Sequence, residues 1–191
     1  MRAGRTEELE RRSRFEDLAA EVYEPVQRYV RRRVAADAVD DVVSDVMLTL
    51  WRRLEYVPPN ARLPWSYGVA RRSVANHRRA AGRHLRLVRR MEAQPLAAQP
   101  RSPMASDVPL DAELEIALDG LSEGDRELLH LWAWEQLEPA EIGVVLGLTP
   151  NAVSIRLHRA KNKLRENLET ARKNEAASGH SHLERRKEDE S

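Results

Sequence analysis

With 191 residues, 33% of them charged and 5% aromatic, the chain has room for one or two small domains but not for a large enzyme core. Its formal net charge of +1 averages over blocks of opposite sign, so charge must be read segment by segment. The absence of cysteine excludes disulfides and thiolate metal sites and fits a reducing cytoplasm. No window approaches the roughly 18 apolar residues of a membrane span, and the start MRAGRTEELERRSRF has no apolar signal core. A soluble cytoplasmic protein with no membrane insertion is expected.

Residues 1–14 are polar and read as a flexible, frayed or loosely helical start. From Phe15 to Val34 the apolar positions Phe15, Leu18, Ala19, Val22, Val26, Tyr29 and Val30 recur every three or four residues, which marks an amphipathic helix ending in Arg31, Arg32 and Arg33. Pro25 sits well inside that pattern and is expected to split or kink it. A second helix follows from Asp37 to Leu54, with Asp37, Asp40, Asp41 and Asp45 early, where the helix dipole favours acids, and Val39, Val42, Val43, Val46, Met47, Leu50 and Leu54 along a stripe. Leu48 and Trp51 fall off the stripe beside the acids, the composition of a face offered to a basic or apolar partner.

The three prolines of Tyr56–Pro64 break the pattern and require a loop. Beyond it Trp65, Tyr67, Val69, Ala70, Val74 and Ala75 resume a helix, and Arg71 to Arg90 hold eight arginines and no acid. Cations for phosphates beside Trp65 and Tyr67 for stacking match what single-stranded nucleic acid needs, although for Trp65 alone core packing is the better reading. Residues 94–109, rich in Pro, Ala and Ser, form a flexible linker.

After the linker, Leu110, Leu114, Ala117, Leu118 and Leu121 outline a helix, and Ser122 with Asp125 resembles a capping box opening a helix that holds Leu128, Leu129, Trp132 and Leu137. The stretch Leu137–Leu168 reads as two short helices about a tight corner. Pro139 opens the first, which buries Ile142, Val145 and Leu146; Gly147 stops it, and Leu148 drops into the corner. Thr149 caps the second helix with Pro150 at its first position, and Val153, Leu157, Ala160, Leu164 and Leu168 share its buried face. Opposite lie Asn151, Ser154, Ile155, His158, Arg159 and Asn162, with Arg156, Lys161, Lys163 and Arg165 adding charge and no acid before Glu166. A helix–turn–helix sets such a helix in the DNA major groove; the alternative is an αα-hairpin with a solvated basic face. Residues 170–191 mix both charges with few apolar side chains and read as a disordered tail, in which His180 and His182 carry little weight as a metal site.

Together these stretches resemble the extracytoplasmic-function (ECF) group of bacterial sigma factors, in the sigma-70 family. DDVVSDVMLTLWRRL (40–54) is similar to the family's region 2.2, WSYGVARRSVANHRR (65–79) to regions 2.3 and 2.4, and LSEGDRELLHLWAWEQLEPAEIGVVLGLTPNAVSIRLHRAKNKL (121–164) to region 4. The resemblance implies an all-α chain of two small helical domains, a region 2 bundle over 15–93 and a region 4 helix–turn–helix over 110–169, joined by the linker. It implies an alternative sigma factor that binds core RNA polymerase, recognises −35 and −10 promoter elements and assists melting. Asp41, Asp45, Leu48 and Trp51 would dock on the clamp helices of the largest polymerase subunit. Arg62 in the loop, with Arg71, Arg72, Asn76, Arg78 and Arg79, would hold unpaired −10 bases, and the loop would be the base pocket. Asn151, Ser154, Ile155, Arg156, His158 and Arg159 would face the −35 duplex.

Some positions depart from the family pattern. Ser44 stands where the family often has Gln and Ser73 where Asn is frequent, and Ser154 and Ile155 are poor bidentate readers of bases. An anti-sigma factor is a further partner the resemblance brings; for the tail, a contact with one and no role at all are equally open. No cofactor is implied. A helix–turn–helix regulator acting without polymerase is the rival reading, but the acidic and arginine-rich segments before the linker fit neither a sensor nor a dimerisation domain. Nothing points to an enzyme: the six histidines are scattered, and no paired carboxylates in an evident pocket or Gly-rich phosphate loop occur.

Overall fold

The computed structural model describes residues 2–92 and 112–188, and among these it forms seven α-helices and no strand. The expected linker 94–109, Leu110 and the last three residues lie outside the described residues. The chain divides into two compact units, one built on the first three helices together with Gly143–Leu148, the other on residues 112–142 and 149–188.

In the first unit α1 (Arg2–Arg31), α2 (Val39–Arg52) and α3 (Arg62–Glu92) each pack against the other two. The stripe read in α1 is its buried face, with Leu18, Val22, Val26, Tyr29 and Val30 at most 2% exposed. Pro25 does not break the helix, which runs unbroken through it. One missing hydrogen bond is outweighed because the residues on both sides are anchored in the core. The helix also extends to Arg2, through the stretch read from composition as flexible, frayed or loosely helical. Elongating an existing helix fixes few new degrees of freedom, and Arg11 is held from outside by its bond to the Trp51 carbonyl at 3.1 Å.

A 3-10 turn at Ala36–Ala38 leads into α2, whose first turn carries Asp40 and Asp41. Val39, Val42, Val43, Val46 and Leu50 are buried. Four of these five are valines, which are indifferent helix formers, so burial against α1 and α3 rather than propensity holds α2 helical. A 3-10 turn at Leu54–Tyr56 follows, and α3 begins at Arg62. Arg62, Leu63 and Pro64 therefore belong to a helical first turn and not to the loop in which they were expected. Proline is tolerated there because first-turn N–H groups have no intrahelical acceptor.

In the second unit α4 (Ala112–Asp119) and α5 (Glu123–Ala133) pack against α7 (Pro150–Glu188). Ser122 caps α5, accepting from the Asp125 N–H at 3.2 Å while its hydroxyl donates to the Asp125 carboxylate at 2.7 Å. At the start of α6 (Pro139–Leu146) the Glu138 N–H donates to Glu141 at 2.8 Å, half of a second capping box. Gly147, at φ 69°, ends α6, and the Leu148 N–H returns to the Gly143 carbonyl at 3.0 Å, the bond of a Schellman motif. Thr149 Oγ1 then accepts from the Ala152 N–H at 3.3 Å and Pro150 opens α7. The Gly147 stop and the Thr149 cap are built as their residues indicate, and Ile142 and Val145 are buried as expected, but Leu146 is only half-buried.

One further expectation for this unit fails in detail. Leu137 lies beyond the end of α5, yet is 5% exposed, because Gln136 takes a left-handed φ of 55° and the Leu137 N–H closes on the Leu131 carbonyl at 3.1 Å. Trp132, which does fall in that helix, is 42% exposed. The left-handed backbone costs a side-chain-bearing residue roughly 1–2 kcal/mol, part of which glycine's extra unfolded-state entropy takes back. Gln136→Gly is therefore expected to raise stability by up to about 1 kcal/mol, seen as a higher denaturant midpoint at unchanged slope. A lower midpoint would show that the Gln136 side chain contributes more than its backbone costs.

The tail also differs from its expected disorder, since α7 continues to Glu188. Packing reaches past residue 169: Ala171 is 8% exposed, and Arg172 pairs with Glu113 at 2.9 Å. A nucleated helix carries on through such residues at little further cost.

Candidate nucleic-acid and partner interfaces

Three surfaces hold the residues singled out from the sequence. On α2, Asp41, Asp45 and Leu48 fall on successive turns of one exposed face, with Leu48 45% exposed. Trp51 stands at the border of that face and is half-buried. Its ring meets Phe15 edge-on at 5.2 Å, and the Arg11 guanidinium lies 4.6 Å from its centroid. The same guanidinium donates to the Trp51 carbonyl, one of the last acceptors of α2. Trp51 is thus partly committed to the fold, and Arg11, which no sequence pattern singles out, caps the helix that presents the acids.

On α3, Arg71, Arg72, Asn76, Arg78 and Arg79 are all exposed, and Arg72, Asn76 and Arg79 line one stripe, the last two hydrogen-bonded to each other. Arg62 is half-exposed and pairs with Glu21 at 3.2 Å. Arg78 donates twice to the Arg33 carbonyl, at 2.8 and 3.3 Å, tying α3 to the end of α1. Arg33 is turned inward, 3% exposed, its guanidinium 3.5 Å from the centroid of the Tyr29 ring and bonded to the Tyr29 carbonyl at 3.0 Å. Tyr67, expected beside Trp65 as a stacking ring, is 3% exposed and packs on Tyr29 at 5.2 Å. It belongs to the core. Tyr56, 74% exposed where α2 gives way to the loop, is an exposed ring that the periodicity did not mark.

On α7 all six residues read as facing the −35 duplex, Asn151, Ser154, Ile155, Arg156, His158 and Arg159, are exposed, while Val153, Leu157 and Ala160 opposite are buried. His158 meets Asn162 at 3.1 Å, and Asn162 accepts from Arg165 at 3.1 Å. Ser154 donates to the Pro150 carbonyl at 3.0 Å, which leaves its oxygen free only as an acceptor. No helix among the described residues is long and apolar enough to cross a membrane.

Residues 15–84 match the model of sigma-70 region 2 and residues 112–164 that of sigma-70 region 4. The RNA polymerase sigma factor CarQ of Myxococcus xanthus is 35% identical over 156 residues, 80% of this chain and 87% of that protein. The chain belongs to the ECF group of the sigma-70 family. The ECF RNA polymerase sigma factor ShbA of Streptomyces griseus is 31% identical, covering 78% of this chain and 84% of its own. Among solved structures, the sigma factor RpoE of Bartonella quintana, crystallised with the anti-sigma factor NepR, matches with a TM-score of 0.56 at 22% identity, over 81% of this chain and 96% of that one. CnrH, in complex with the cytosolic domain of CnrY, matches with a TM-score of 0.53 at 25% identity, over 82% and 88%. Both support the all-α fold. The protein is thus an alternative sigma factor, which joins core RNA polymerase and directs initiation at promoters.

Proposed function

We propose that this sigma factor divides its work between a region 2 module over 15–93 and a region 4 module over 110–169. Asp41, Asp45 and Leu48, with Trp51 at the edge, meet the clamp helices of the largest polymerase subunit. Arg71, Arg72, Asn76 and Arg79 hold the unpaired −10 strand, with Arg62 at the mouth of the loop. Arg78 is less available for DNA, because it fixes the end of α1. Asn151, Ser154, Ile155, Arg156, His158 and Arg159 face the −35 duplex. The observation that carries this reading is the two-sidedness of α7, apolar and buried on one side, polar, basic and exposed on the other. It works in the cytoplasm, catalyses no reaction of its own, and is held inactive by an anti-sigma protein, the class of partner seen with the RpoE structure.

In vitro transcription with bacterial core polymerase tests the whole scheme: the protein is expected to direct initiation at defined start sites. Binding to promoter DNA without core enzyme, and no initiation with it, would favour a polymerase-independent regulator. Within region 2, Arg78→Ala is expected to lower stability by about 1–2 kcal/mol through loss of its charge-assisted bonds, whereas Arg79→Ala stays within about 0.5 kcal/mol of the parent and weakens binding of −10 single strand. Thermal unfolding and fluorescence anisotropy separate the two, and equal stability of both variants would remove Arg78 from its structural role.

A further inference from the structure

Trp132 leaves 42% of its surface exposed on a helix whose Leu128, Leu129 and Leu131 are buried, an odd place for its largest apolar side chain. The ring is not bare. Lys161 Nζ lies 3.3 Å from its centroid. The two residues come from α5 and α7, which pack on each other within one unit.

Helical spacing puts Ser154, Lys161 and Arg165 along one border of the exposed face of α7, and Arg156, Arg159 and Lys163 along the other. A helix seated in a major groove has a phosphate strand on each side and needs cations on both borders. Over residues 154–165 the first border carries two, Lys161 and Arg165, and Arg165 donates to Asn162. A lysine on a flexible stem loses rotamer freedom when it meets a phosphate, and that loss opposes binding. An aromatic face beneath the ammonium restrains the stem beforehand. Unlike a carboxylate it does not cancel the charge, and it leaves N–H donors for a phosphate oxygen.

We propose that Trp132 is a positioning residue for promoter DNA: its indole forms a shelf that holds the Lys161 ammonium at the border of α7, where it meets a backbone phosphate of the −35 duplex. The contact is independent of base sequence, and the proposal rests on α7 being the −35 reader.

The test uses holoenzyme reconstituted with core polymerase and a duplex containing a promoter from which it initiates, titrated across a salt series. Trp132→Ala is expected to weaken binding about two- to fivefold and to reduce the slope of log affinity against log salt by about one. Trp132→Phe, which keeps a ring, retains most of both. Lys161→Gln reproduces the loss, and adding Trp132→Ala to it costs nothing further. Circular dichroism of each variant reports the fold. If Trp132→Ala and Lys161→Gln leave affinity and slope unchanged while Arg159→Ala weakens binding, the shelf is wrong and α7 remains the reader. If Arg159→Ala is silent as well, α7 is not the reader and the proposal falls with it. Equal losses from Trp132→Ala with and without Lys161 would also overturn it, since the two would then act independently.

Discussion

Leu157→Ala is expected to destabilise the region 4 unit by about 2–5 kcal/mol, the range for deleting a buried leucine side chain. Leu157 is 6% exposed, between Val153 at 0% and Ala160 at 1%, on the face of α7 that packs against α4 and α5. A unit this small has little stability in reserve, because short chains bury a smaller share of their surface. A cavity there is therefore expected to populate the unfolded unit, and promoter binding to fall with it. Chemical denaturation followed by circular dichroism is the measurement, with Ile155→Ala as the control on the opposite side of the helix. Ile155 is 46% exposed, so its loss is expected to stay within about 0.5 kcal/mol. Equal shifts for the two variants would mean that α7 is not buried on the side described.

The double reversal Asp41→Lys with Asp45→Lys is expected to weaken association with core polymerase at least about tenfold, since like charges set face to face cost several kcal/mol. The cost to folding is much smaller. Asp41 lies in the first turn of α2, where an acid contributes about 0.3–1 kcal/mol through the helix dipole, and both side chains are exposed. Co-purification with core enzyme gives the binding, and thermal unfolding shows whether the bundle has survived. Undiminished co-purification would move the polymerase contact off this face.

What was legible in the sequence was local. The Gly147 corner, the caps at Ser122 and Thr149 and the two-sidedness of α7 depend on residues within a turn or two of each other, and spacing alone exposes them. What was missed depends on which helix lies beside which. Arg78 reads as one more cation in a run, and only the approach of the end of α1 gives it the Arg33 carbonyl. Tyr67 reads as a stacking ring until Tyr29 covers it, and Trp132 reads as one apolar residue of its helix until Lys161, from a helix later in the chain, is found over its face. Pro25 misled for a related reason: a rule about isolated helices does not count the side chains that hold both halves in place. The continuation of α7 to Glu188 is not legible in composition, which weighs apolar content and takes no account of a helix already nucleated next door.

The valines of α2 bear on how this sigma factor could be blocked. A segment that coils only because its neighbours surround it has no shape of its own to lend, so a synthetic peptide spanning Val39–Arg52 would be a shapeless and feeble decoy for the polymerase. An effective mimic would have to bring the surrounding scaffold along, or replace the buried branched side chains with alanine and leucine while leaving the acids where they stand.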